Sequence, residues 1–124
     1  MIATVDTALP GPEREVLALL AESGLGYDGI AELLGVRRVD VAALAAAARL
    51  RLADAAPVPE RCRAQLPHLA GVIDGESVPA PPHTDCPTCA TTLAAMRAAD
   101  AEYRARRPAP MPDAVRRGVR DALN

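Results

Sequence analysis

Cys62, His83, Cys86 and Cys89 are the residues of this 124-residue chain whose types and spacing can do chemistry. Cys86 and Cys89 form a CxxC pair, and two Cys separated by two residues make a tight turn whose sulfurs can both face one ion. With His83 just ahead of the pair, HTDCPTC offers three ligands in one short stretch. The remaining thiol is Cys62. The four together are a Cys3His set of the kind that holds a structural zinc ion in a tetrahedron, closing a loop of about twenty residues. Each Cys would bind as thiolate, so metal uptake should be coupled to folding and to pH.

Two other readings of the same residues stand beside this one. A CxxC pair also serves redox chemistry, although that motif usually accompanies a βαβ pattern, which this chain lacks; thiolates that hold zinc can also be oxidised with release of the ion. His68 could replace Cys62 as fourth ligand, or be an ordinary histidine on a helix surface. Three Cys is an odd number, and in a reducing compartment metal binding is favoured over a disulfide framework.

The elements that must position these ligands are helical. PEREVLALLAE has an apolar stripe of Val16, Leu17, Leu19 and Leu20, with Pro12 in the first turn and a stop over residues 23 to 26. A second helix is predicted from Tyr27 to Leu34, with Gly35 as a left-handed C-cap, and a third from about Val39 to Leu52. Helix, short Gly-containing turn, helix is the pattern of a helix-turn-helix unit. Residues 53 to 59 read as a linker. Pro59 opens a segment carrying Cys62, Leu66, Leu69 and Ile73, which Pro67 kinks or splits and Asp74-Gly75 ends. SVPAPPH is too rich in proline for helix or central strand, so it must be the loop that delivers His83. A helix from Thr91 to about Arg107 follows, then the break PAPMP, then an amphipathic helix from Asp113 to Leu123. The expected fold class is all-α: a three-helix helix-turn-helix domain over residues 1 to 56, a zinc-stabilised helical module over 57 to 107, and a C-terminal amphipathic helix over 108 to 124.

Composition bounds what such a chain can bury. It has no Trp, no Phe and only Tyr27 and Tyr103, so its core must come from Ala, Leu and Val. Small domains of this kind usually need a metal, a disulfide or a partner. The segment MIATVDTALP lacks a basic start and a long apolar run, and no stretch approaches the ~20 apolar residues needed to cross a membrane. A cytoplasmic protein without membrane contact is the expectation. All 14 basic residues are Arg, and five of them face eight acids in residues 1 to 56, which leaves the helix-turn-helix half acidic. A DNA reader should present a basic face.

Cys62, then Leu66-Pro67, then Asp74-Gly75-Glu76, then His83, Cys86 and Cys89 resemble the zinc-finger module of zinc-binding anti-sigma factors. In that family a Cys on the first helix precedes a DGE turn and an HxxxCxxC motif; here the spacing is HxxCxxC. The resemblance covers about residues 59 to 107 and implies the same four ligands. Residues 12 to 52 resemble sigma factor region 4. In that family the recognition helix carries Lys, Ser and Arg toward phosphates and bases; the corresponding positions here are Ala42, Ala43, Leu44 and Ala47, and its polar cap position is Arg37.

From Val41 to Ala48 the third helix has no polar side chain. Such a helix is buried on more than one side, either within its own chain or against a partner through an apolar face that includes Leu44. The resemblances imply a regulator of transcription initiation, stabilised by structural zinc, whose partner is a sigma factor or RNA polymerase. The last helix would dock through Val115 and Val119, with Arg116 and Arg120 facing an acidic surface. One alternative is a DNA-binding helix-turn-helix factor, weak unless a homodimer supplies charge from two copies, with Arg37 and Arg38 on phosphates; another is a zinc-thiolate redox sensor. An enzyme is not expected, because four protein ligands leave zinc no open position.

Overall fold

The computed structural model describes residues 9–81, 83 and 86–106, and among these it is all-helical with no strand. Its helices are α1 (Gly11–Ala18), α2 (Tyr27–Leu34), α3 (Arg38–Ala53), α4 (Glu60–Arg63), α5 (Leu66–Asp74) and α6 (Pro87–Arg106). Pro12 occupies the first turn of α1, where its missing N–H costs nothing. The helix runs on through a π-helical turn, Leu19–Ser23, in which Ser23 Oγ donates to the Leu19 carbonyl. That turn was not foreseen in the sequence; a widened turn of this kind has no distinctive residue pattern.

α2 has the predicted limits, and Gly35 ends it in the left-handed conformation while the Val36 N–H reaches back to the Ala31 carbonyl. Three residues then lead into α3. Arg37 carries no oxygen with which to cap that helix, and Asp40 in its first turn does part of the work instead, accepting the Arg37 backbone N–H at 3.0 Å.

α3 is the centre of the molecule, with α1, α2, α5 and α6 packed around it. Val41, Ala42, Ala45, Ala46 and Ala48 are all fully buried, and their short side chains let helices approach from several directions. Most of the apolar stretch is therefore covered by the chain's own helices, with Ala43 exposed and Leu44 and Ala47 half-buried. One continuous core joins Val16, Tyr27, Ile30 and Val41 to Leu69, Ala70, Val78 and Met96, so it spans both sides of the segment 54 to 59 that links α3 and α4. A second, smaller cluster of Leu9, Leu17, Ala48 and Tyr103 closes the far side of α3.

Polar groups tie the same elements together. Arg49 on α3 has no exposed surface; its guanidinium forms a two-pronged pair with Asp74 at 2.6 and 2.8 Å and also donates to Asp100 at 3.0 and 3.2 Å. Burial alone would lower the Arg49 pKa, but Asp74 and then Asp100 outweigh it and the net shift is upward. Tyr27 donates its hydroxyl to Asp74, and burial followed by that carboxylate pushes the phenol well above its ordinary range. Two residues on, Glu76 accepts the Tyr27 backbone N–H at 3.1 Å and so caps α2 from a distant segment; its other oxygen pairs with Arg38 at 2.7 Å.

The chain leaving α5 turns back sharply against it. Glu76 N–H bonds the Gly71 carbonyl at 2.8 Å, and Val78 is buried beside Gly71. A Cβ on Gly71 would lie 2.7 Å from the Glu76 carbonyl oxygen and 2.8 Å from Val78 Cγ2. Because one of those atoms is backbone, Gly71→Ala is expected to destabilise the fold by about 1–3 kcal/mol, measured as a lower urea midpoint with unchanged slope. Among the described residues, no helix is long and apolar enough to cross a membrane.

Candidate metal centre

The candidate ligands come from three places in the chain: α4, the proline-rich loop and the start of α6. Cys62 sits in α4, a single turn opened by Pro59, whose carbonyl accepts the Cys62 N–H at 2.9 Å. Pro67 lies in the first turn of α5 and marks the split between these two helices that the sequence predicts. Cys62 is almost fully buried. Cys86 immediately precedes α6, and its carbonyl accepts the Ala90 N–H at 3.1 Å. Pro87 is the first helical residue, so the helix starts four residues earlier than the predicted Thr91 and the last three residues of CPTC lie in its first turn. Cys89 is thereby held on the same end of α6 as Cys86.

The four ligand atoms lie within 4.8 Å of one another and could hold a metal ion. Cys62 Sγ is 3.6 Å from Cys86 Sγ and 4.0 Å from His83 Nε2, which is 3.4 Å from Cys89 Sγ. A tetrahedral zinc with bonds of 2.3 Å to sulfur requires sulfurs about 3.8 Å apart. The donors are therefore already near the spacing that such an ion demands. Cys62 closes the protein side, Cys86 and Cys89 are half-buried, and His83 covers the solvent side.

The local field separates the two thiols of the pair. The Cys89 backbone N–H, then His83, hold the Cys86 thiol down at about 6. Burial, then the neighbouring Cys62 and Cys86 thiols, push Cys89 up to about 12. A cation placed among them reverses that penalty, since a coordinated thiol is deprotonated. At pH 7 the Cys89 proton is still in place and must leave on binding. Metal addition to weakly buffered protein is therefore expected to acidify the solution, with at least one proton released per ion, read by an indicator dye; no acidification would show that Cys89 does not coordinate.

Other candidate residues fall elsewhere. His68 is neither a ligand nor a free surface residue: its Nδ1 lies 2.8 Å from the Val78 carbonyl oxygen. Asp74 and Glu76 are committed to the packing and capping described above. Arg37 pairs with Asp40 at 3.0 Å, and Arg38 with Asp28 at 3.1 Å and with Glu76, while lying over the Tyr27 ring. Arg51 pairs with Glu13 at 3.0 Å. Leu44 is half-buried against the main core. Val115, Arg116, Val119 and Arg120 lie outside the described residues. The Arg49 cluster escaped the sequence reading, because its carboxylate partners lie far off in the chain.

Fold and site together define a small all-helical protein with a four-residue Cys and His cluster able to hold a metal. Compared with protein-family models, with curated proteins and with solved structures, the chain matches none.

Proposed function

We propose that this protein is a zinc-stabilised regulator of transcription initiation that works by binding a sigma factor or RNA polymerase and not by reading DNA. The observation that carries the reading is the convergence of Cys62, His83, Cys86 and Cys89, in the order that resembles the anti-sigma zinc module, on one set of near-tetrahedral spacings. Three thiolates and one imidazole suit zinc. With all four positions taken by protein the ion serves architecture, joining α4, the proline-rich loop and α6.

Two features favour a protein partner over a nucleic acid. α3, the counterpart of a recognition helix, is spent on the internal core. The arginines that could reach phosphate are neutralised: Arg37, Arg38, Arg49 and Arg51 each meet a carboxylate of this same chain. DNA affinity draws largely on phosphate neutralisation, so this surface has little to offer a duplex.

The test is a pull-down with the zinc-loaded full chain against sigma factors and polymerase subunits of the source cell, run beside a mobility shift titrated with salt. Zinc-dependent retention of a sigma factor or polymerase subunit, without a salt-sensitive shift, is the expected result. Retention of neither, or tight binding to duplex alone, would refute the reading.

A further inference from the structure

The loop that brings His83 to the cluster is poor in backbone hydrogen-bond donors. Three of the residues in VPAPPH are prolines without an N–H, so the segment has mainly carbonyl oxygens to offer. Two of those carbonyls are taken by the side chains of Gln65, at the junction of α4 and α5, and of His68, on α5. Gln65, itself 6 % exposed, donates Nε2–H to the Pro81 carbonyl at 2.9 Å. His68 Nδ1 lies 2.8 Å from the Val78 carbonyl, and because a carbonyl can only accept, Nδ1 carries the proton. Val78 is buried, whereas Pro79, Ala80, Pro81 and His83, the described residues beyond it, are exposed.

We propose that Gln65 and His68 are positioning residues of the metal centre: they clamp the loop at Pro81 and Val78 and thereby set where His83 meets the three thiols. This rests on the metal reading and extends it to residues that touch no ligand atom. Gln65 acts nearer to His83 and carries the larger share. Supporting groups of this kind typically change metal affinity by about 10–100-fold.

The test is a double-mutant cycle on the full chain, with zinc affinity measured by chelator competition and geometry by cobalt absorption. Gln65→Met keeps the buried volume and removes the donor; Gln65→Ala serves as a second variant. Against the natural His83, Gln65→Met should weaken zinc by about 10–100-fold and alter the cobalt ligand-field bands, with the helical circular dichroism of the zinc-loaded protein retained. In a His83→Ala background the same change should cost less than about threefold, because the residue acts through a ligand no longer there. His68→Gln, which retains a donor, should be milder than His68→Ala. Equal losses in both backgrounds, or no loss in either, would overturn the positioning role while leaving the metal reading intact. An unmodified chain that takes up no zinc would overturn both.

Discussion

Arg49→Met should cost about 3–5 kcal/mol of folding free energy, because it leaves Asp74 and Asp100 inside the protein without their cation. The Asp74 side chain is 4 % exposed and that of Asp100 14 %, so water cannot replace the lost charge at Asp74 and can do so only in part at Asp100. The Tyr27 hydroxyl would still donate to Asp74, and Arg104 still pairs with Asp100 at 3.0 Å from the rim, but neither lies between the two carboxylates as Arg49 does. For a chain of this size a loss on that scale is a large part of the total stability. Urea denaturation of the metal-loaded protein measures it. A change under about 1 kcal/mol would mean that the carboxylates take up protons or solvent without strain. The triple change Arg49→Met, Asp74→Asn, Asp100→Asn removes all three charges and should recover much of the loss, since uncompensated charge is the main penalty and the pairing itself is worth less.

Metal removal should produce the second large effect, and it should be unevenly distributed. Structural zinc sites in small peptides contribute on the order of 10–16 kcal/mol of apparent binding energy at neutral pH, which is the whole of folding where no other core exists. Here another core does exist. Val16, Ile30, Val41, Ala45, Ala70 and Met96 are buried around α3, and Cys89 is the candidate ligand that packs against this core, whereas α4 and the described residues of the proline-rich loop are mostly exposed. Chelation, or Cys62→Ser, is therefore expected to lower the melting temperature strongly and to speed amide exchange at Cys62 and Val78 by orders of magnitude, with most helical dichroism kept. Hydrogen exchange with and without chelator, followed by zinc restoration, measures both parts. Complete loss of helix on chelation would show that the Ala-rich core cannot stand without the ion.

These two expectations concern features that were unequally visible in the amino-acid order. The limits of α2, the left-handed Gly35 and the split at Pro67 follow from backbone chemistry within a few residues, and each is found where predicted. The start of α6 was placed late because a CPTC segment reads as a knuckle; Pro87 is nonetheless well suited to a first helical position, and Cys86 is held at the helix end. The Arg49 cluster could not be read from order alone, since its partners are 25 and 51 positions away.

Residue type and spacing by themselves determined the all-helical class, the helix-turn-helix order and the candidate ligands His83, Cys86 and Cys89, because propensity, capping and donor chemistry are properties of short stretches. The choice of Cys62 over His68 as the fourth needed the fold. Only the tertiary structure decided that α3 is covered by α5 and α6, that Arg49 is an internal cation and that Gln65 and His68 hold the loop before His83. Those outcomes depend on which distant surfaces meet when a small Ala-rich core closes. Burial then turns a charge that would be solvated in the open chain into a structural tie.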